Sequence, residues 1–169
     1  MRFFTLILLL ISVNLLMAQS KSVSLSTAGT LVNQLSASEK ANITTLSVSG
    51  NMDARDFQFL RDEMKVLSVL NISGATIKAY TGRNGTISDS LVNYPANGIP
   101  DYAFYNKIKH TYKSTLTSLM LPSSLLTIGK LAFYFNWNLA GTLTFPTSLK
   151  NIGDYAFYGC YNIGSFSIS

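Results

Sequence analysis

The chain has 169 residues, of which 47% are hydrophobic and 12% are charged, and its formal net charge is +5. A chain of this length and apolar content can bury a core, which excludes an intrinsically disordered protein. A single Cys and a single His exclude a disulfide scaffold and a multi-cysteine zinc site. The charge is small and scattered, so we expect no nucleic-acid partner. No residue pattern predicts a metal site or a cofactor.

The segment 1–18 has the pattern of a secretory signal peptide. Arg2 precedes an apolar run from Phe3 to Met17, and the small residue Ala18 stands where cleavage is expected. We therefore predict an exported chain whose mature form begins at Gln19 and which meets a membrane only through this segment. A permanent anchor is the alternative, although the run is slightly short for a membrane span.

Two helical segments are expected in the first half of the chain. Residues 19–42 are predicted to form an N-terminal cap region, in which Thr30 to Ala37 is a candidate short helix. A second helix is predicted from Asp53 to Met64, because Phe57, Leu60 and Met64 have helical spacing and Asn51 or Asp53 can cap its start.

The helix from Asp53 to Met64 also holds the densest group of carboxylates in the sequence. A glycosidase needs two carboxylates that converge on one cleft. Here Arg55, Arg61 and Lys65 alternate with the acidic residues, which favours a solvated helix surface with ordinary ion pairs. We therefore expect no enzymatic activity and no catalytic residue.

From residue 43 onward, apolar residues recur with a period of 24. Residues 119–133 match residues 143–157 at their Leu, Pro, Ile-Gly and Ala-Phe positions, and the signature L-x-x-L-x-L begins at 43, 67, 116, 139 and 163. An irregular turn over 76–115 interrupts the series and includes Thr81 to Thr86, a flexible stretch by composition. Alternate residues of a strand face opposite sides, so the leucines of successive strands share one core.

The period predicts an α/β repeat fold for residues 43–169. It is a solenoid with short parallel strands on one face and short helices or turns on the other. In the later repeats, the segment that leads from one strand back to the start of the next has room for a short strand and about one helical turn.

The complete copies resemble the BspA-like leucine-rich repeats of secreted bacterial surface proteins, whose turns read L-x-x-L-x-L-P-x-S-L-x-x-I-G-x-x-A-F-x-x-C. Asn136 replaces the usual Cys in the first full copy, and 76–115 departs from the motif except over 99–105. The resemblance implies a secreted or cell-surface bacterial protein. It also implies, for some members, adhesion to host proteins or other cells. We predict a non-enzymatic module that binds host matrix proteins, cell-surface proteins or glycans. The alternative is a structural spacer, or a truncated remnant of a larger repeat protein, without a ligand of its own.

The alternation of each strand predicts which residues face solvent on the concave side of the solenoid. The candidate concave binding face consists of Ser47, Asn71, Met120, Thr144 and Ser167. Stacked concave strands are the usual binding surface of such folds. This face has no charged or aromatic side chain to serve as an interface anchor, so a plain solvated Ser/Thr surface is the alternative.

Aromatic residues recur on the return side. Phe104, Phe133 and Phe157 are predicted core residues. Their neighbours are expected to form a stacked, partly exposed row that comprises Tyr105, Tyr134, Tyr158, Trp137 and Tyr161. Packing between turns explains this row more simply than contact with sugars or partners does.

Three features near the end of the series carry separate expectations. Cys160 is predicted to be a buried, unreactive thiol at a bend, and His110 to lie exposed in a polar loop. Ile163, Phe166 and Ile168 open an incomplete repeat. The edge strand that they form is expected to be available for self-association.

Overall fold

The computed structural model describes residues 18–169, and residues 1–17 of the predicted signal peptide lie outside the described residues. The helices are a 3-10 helix over Leu31–Gln34, α1 over Ala37–Asn42 and α2 over Ala54–Asp62. The strands up to the middle of the chain are β1 (Gln19–Leu25), β2 (Ile43–Met52), β3 (Val69–Asn71), β4 (Ala75–Ile77), β5 (Tyr80–Asn84), β6 (Ser88–Tyr94) and β7 (Gly98–Ile99). The later strands are β8 (Tyr105–Asn106), β9 (Thr111–Tyr112), β10 (Ser118–Met120), β11 (Thr127–Ile128), β12 (Gly141–Phe145), β13 (Asn151–Ile152) and β14 (Ile163–Ile168).

Parallel strands from successive repeats pair with one another along one side of the molecule. One sheet has the order β1-β2-β3-β10, and β12 pairs in parallel with β14. Leu46 lies opposite Leu70, and Leu70 lies opposite Leu119. The predicted equivalence of these positions is confirmed, and the fold is a repeat fold built mostly of strands.

The segment 19–42 contributes a strand of its own to this sheet. β1 runs parallel to β2, with Val23 opposite Val48. The helix expected over Thr30 to Ala37 is a 3-10 helix over Leu31–Gln34. α1 begins one residue after Ser36, whose hydroxyl accepts from the Glu39 N–H while the Glu39 carboxylate accepts from the Ser36 N–H. The cap assignment of this segment stays a prediction.

The predicted second helix is confirmed as α2. Asp53 is its N-cap and forms a capping box with Asp56, and the side chains of Phe57 and Leu60 are fully buried. The expectation of a solvated helix surface is wrong for Asp53, Asp56 and Arg61, which are buried. The cause is that other segments of the same chain fold over the helix and supply hydrogen-bond partners to these charged groups.

The irregular turn is made of antiparallel hairpins. β5 pairs with β6, and β8 pairs with β9. The expectation of flexibility over Thr81 to Thr86 is wrong, since β5 covers most of this stretch. Tyr80 stacks on Tyr94 with 6.0 Å between ring centroids, and the Arg55 guanidinium lies 4.6 Å from the Tyr80 centroid. These contacts hold the hairpin against α2.

The return side of the later repeats consists of strands and turns. β7, β11 and β13 form a parallel sheet there, and residues 63–169 contain no helix, so the expected helical turn is wrong. Successive backbones approach closely: a Cβ on Gly129 would lie 2.3 Å from the Asp101 nitrogen. Packed helices need about 8–10 Å between their axes, whereas strands need only about 4.8 Å. With strands and turns on the return side, successive repeats therefore have the same spacing there as along the parallel strands.

A column of phenylalanine rings runs through the core. Phe104 lies 5.1 Å from Phe133, and Phe133 lies 5.1 Å from Phe157, as measured between ring centroids. Phe57 of α2 meets Phe104 edge-on at 6.2 Å. The prediction that the three recurring phenylalanines belong to the core is confirmed, with Phe157 partly buried at its end.

Candidate functional site

The predicted binding residues lie on the solvent side of the parallel strands, a surface that we call the front face. Ser47 on β2 is opposite Asn71 on β3, which in turn is opposite Met120 on β10. Thr144 on β12 is opposite Ser167 on β14. The pairing places the five residues in two aligned groups. Their role in binding stays a prediction.

The front face contains two shallow depressions. The first has a volume of about 390 Å³ and is lined by Ser47, Asn71 and their neighbours on β1, β2 and β3. The second has a volume of about 500 Å³ and is lined by residues that include Met120 and Thr144. Both linings consist of uncharged residues. A ligand on this face would therefore be held by hydrogen bonds and apolar contact.

Several polar side chains of the front face already bond to each other. The hydroxyl oxygens of Thr144 and Ser167 are 2.9 Å apart. Asn71 Oδ1 accepts from the Ser73 nitrogen at 3.0 Å and from the Ser73 hydroxyl at 2.7 Å. These bonds fix the orientation of the side chains, which lowers the entropy cost of ordering them around a ligand.

The repeated strands and their 24-residue register agree with a comparison to known families. The family model of the BspA type leucine rich repeat region (6 copies) matches residues 97–169. Residues 97–169 are BspA-type leucine-rich repeats. No curated protein matches the chain.

In the BspA-type repeats, one buried position precedes each strand signature by three residues. Lys113, Asn136 and Cys160 occupy it, and their carbonyls accept from Leu116, Leu139 and Ile163 at 3.2, 3.1 and 3.4 Å. Met64 has the same place before Leu67 in the earlier repeat, at 3.3 Å. The four residues therefore form one column at the bend of the fold.

Cys160 in this column is a half-buried thiol that packs against the core. Its Sγ donates to the Phe133 carbonyl oxygen at 3.1 Å. Burial raises the pKa of the thiol to about 11, so the reactive thiolate is scarce at neutral pH. The thiol fills space and is unsuited to nucleophilic catalysis.

Lys113 in the same column was not anticipated from the sequence. Its side chain is buried, and its Nζ donates to the Met64 carbonyl oxygen. Burial lowers the pKa of this amine to about 8. The detectable signal was its position three residues before Leu116, which the repeat motif reserves for a buried residue.

The carboxylates of α2 serve the structure. The Asp56 carboxylate is only 1% exposed and accepts from the backbone nitrogens of Gly29, Leu31 and Asp53 at 2.7, 3.0 and 2.9 Å. Burial raises the pKa of Asp56, and the three bonds counteract this effect only in part. Asp53 is paired with Arg55. Both carboxylates are thus occupied by contacts within the fold.

The predicted aromatic row is confirmed. Tyr105 and Tyr134 have ring centroids 5.0 Å apart, and Tyr134 and Tyr158 are 5.5 Å apart. His110 is exposed, as predicted, and its Nδ1 lies 3.3 Å from the Tyr105 hydroxyl. The sequence interpretation missed Phe135, which contacts five rings: Tyr112, Tyr134, Trp137, Tyr158 and Tyr161.

Within residues 18–169, no three His, Cys, Asp or Glu side chains converge in a way that would hold a metal ion. Over the same residues, no helix is long and apolar enough to cross a membrane.

Proposed function

We propose that this protein is an exported, non-enzymatic module that binds a protein or a glycan through the front face of a leucine-rich-repeat solenoid. Proteins of the BspA-like family are typically secreted or held at the cell surface. Repeat folds of this kind generally serve as binding scaffolds. The arginine-flanked apolar run of residues 1–18 supports export.

The observation that carries the proposal is the pair of uncharged depressions on the front face. They extend across strands of successive repeats and contain four of the five predicted residues: Ser47, Asn71, Met120 and Thr144. Aligned hydroxyl and amide groups in a shallow trough suit an extended ligand with many hydrogen-bonding groups. Met120 is exposed and supplies an adaptable apolar contact.

The test is a binding screen of the purified chain on immobilised collagen, laminin and a glycan array. We expect saturable binding to at least one of them. The double variant Asn71→Asp/Thr144→Asp should weaken it by about tenfold or more, because a carboxylate without a cation partner must be desolvated under the ligand.

A matched control is Asn33→Asp/Thr111→Asp, which makes the same changes at exposed positions outside both depressions and away from the parallel strands. Its binding should equal that of the unmodified chain. Equal losses in both double variants would remove the front face as the site. No saturable binding to any surface would favour the spacer alternative.

Export is tested separately by N-terminal sequencing of the protein recovered from cells that express the full chain. We expect the mature chain to begin at Gln19. An intact N-terminus on protein retained in the membrane would favour the anchor alternative.

A further inference from the structure

A second surface, outside the front face, has a different chemistry. The aromatic surface consists of Tyr105, Tyr112, Tyr134, Trp137, Tyr158 and Tyr161. Tyr112 and Trp137 meet edge-on with 4.9 Å between ring centroids. Tyr112, Tyr158 and Tyr161 are 38%, 51% and 74% exposed. Large exposed aromatic patches are typical of binding sites.

The phenol groups of this surface are gathered around Tyr134. Burial, followed by the nearby phenols of Tyr158 and Tyr105, raises the pKa of Tyr134. Neutral phenols both donate and accept hydrogen bonds, and their rings are apolar. A surface that combines ring edges and clustered hydroxyls matches a sugar, which also has apolar C–H faces and a rim of hydroxyls.

Cationic side chains lie beside the aromatic surface. The hairpin of β8 and β9 carries exposed Lys107 and Lys109, and Lys107 Nζ lies 5.7 Å from the Tyr102 ring centroid. Tyr102 in turn contacts Tyr105 of the aromatic surface, with 6.1 Å between ring centroids. The lysines are thus placed to meet an anionic ligand on the rings.

One carboxylate lies near the hairpin and is already neutralised. Asp62 accepts from Arg61 at 2.8 and 2.9 Å and from Asn106 Nδ2 at 3.0 Å. Burial raises the pKa of this carboxyl, but the Arg61 and Asn106 bonds outweigh it and hold the pKa below its ordinary value. The charge of Lys109 makes the smallest contribution to this lowering, so Arg61 is the main partner of Asp62, and most of the positive potential of Lys107 and Lys109 is left for a ligand.

From the exposed rings, the clustered phenols and the adjacent lysines, we infer that the aromatic surface binds an acidic polysaccharide bearing carboxylate or sulfate groups. The rings contact the sugar faces, the phenols bond to its hydroxyls, and Lys107 and Lys109 pair with its anionic groups. This site is separate from the front face and does not depend on it. Tyr134 and Tyr158 lie face to face, with 16° between planes, so this pair offers a ligand mainly its edges and hydroxyls.

The experiment measures binding of the full chain to chondroitin sulfate, hyaluronan, neutral dextran and a single-stranded oligothymidylate over a range of salt concentrations. We expect affinity for one or both acidic polysaccharides that falls with salt, and none for dextran. Lys107→Gln/Lys109→Gln should weaken binding by about tenfold and flatten its salt dependence.

Tyr158→Ala/Tyr161→Ala should also weaken binding by about tenfold, but with an unchanged salt dependence, because it removes ring contact and no charge. Both tyrosines are exposed, so the variant is expected to fold, which its thermal unfolding will check. The matched charge control is Lys78→Gln/Lys150→Gln, two exposed lysines outside the aromatic surface. It should bind within about twofold of the unmodified chain.

The inference would be overturned by equal losses in the two lysine double variants, by equal binding to dextran, or by tighter binding to the oligothymidylate. Asn71→Asp/Thr144→Asp should leave polysaccharide binding unchanged. This variant separates the aromatic surface from the front face, because each site can then fail alone.

Discussion

The early repeat, which contains α2, has parallel strands like those of the BspA-type repeats of residues 97–169. The two regions differ on the return side. α2 fills the return of the early repeat, whereas β7, β11 and β13 fill that of the later ones. Phe57 from the helix and Phe104 from a turn nevertheless meet in one column of rings. The interior position is thus preserved while the element that supplies it changes.

The two regions also differ in how they treat buried polar groups. In the early repeat, Asp56 receives three backbone N–H bonds. In the later repeats, Lys113 donates a hydrogen bond to one carbonyl oxygen, and Asn136 Oδ1 has no hydrogen-bond partner within the described residues. Uncompensated polar groups cost stability in a low-dielectric interior. The early repeat is held by satisfied polar contacts, and the later ones depend more on ring packing.

The largest expected effect comes from removing the central ring of the column. Phe133→Ala should lower the free energy of unfolding by about 3–5 kcal/mol, because the fully buried ring stacks on both neighbours and its loss leaves a cavity. Urea denaturation measures this change. Phe166→Ala, at an exposed ring, is the control and should cost about 1 kcal/mol or less. Equal costs at the two positions would contradict the importance of the column.

The second-largest expected effect is a dependence of stability on pH that is caused by Lys113. The folded-state pKa of Lys113 is lowered from 10.5 to about 8, so the unfolded chain binds more protons between these values. Stability should therefore rise as pH increases from about 8 toward 10, with a contribution of up to about 3 kcal/mol from this group. Below pH 8 the cost of burying the charged amine is present in full.

The variant Lys113→Met isolates this contribution. It should be more stable than the unmodified chain at pH 7 and should lose the rise above pH 8. The measurement is urea denaturation of both proteins from pH 7 to 9.5, analysed as their difference so that tyrosine ionisation cancels. Parallel pH profiles would show that the amine is not buried as a cation.

The smallest effect tests the polar contacts of the early repeat. Asp56→Asn should lower the free energy of unfolding by about 1–3 kcal/mol, because the amide group would face backbone N–H donors that the carboxylate now satisfies. Asp154→Asn, at an exposed position, is the matched control and should change stability by about 0.5 kcal/mol or less. If Asp56→Asn left the free energy of unfolding unchanged, these bonds would not be holding the N-terminal segment in place.

Periodicity predicted the parts of the fold that repeat. Leu46, Leu70 and Leu119 were recognisable as equivalent because a shared core imposes the same apolar spacing on every copy. The same reasoning identified Phe133 and Phe157 and the exposed tyrosine row. It failed at Thr81 to Thr86, where Gly and polar residues indicated a flexible loop. The hairpin there is held by the stacking of its own Tyr80 and Tyr94 and by Arg55 of α2, which is distant from it in sequence.

For the front face, alternation predicted which side chains lie on it but not its shape. The two depressions depend on how strands from separate repeats are offset, which no single strand encodes. For the aromatic surface, four of the tyrosines and Trp137 were recognisable in the sequence, but Tyr112 and the approach of Lys107 were not. The β8–β9 hairpin interrupts the period, so its place beside the rings follows only from the folded chain.

By itself, the sequence determined the period, the apolar positions that fill the shared interior and the likeness to BspA-type repeats, because burial acts on every copy alike. Only the tertiary structure decided the burial of Asp56 and Lys113, the strand-and-turn return and the meeting of lysines with rings. Those features arise from single contacts between distant segments, and such contacts leave no periodic trace in a chain.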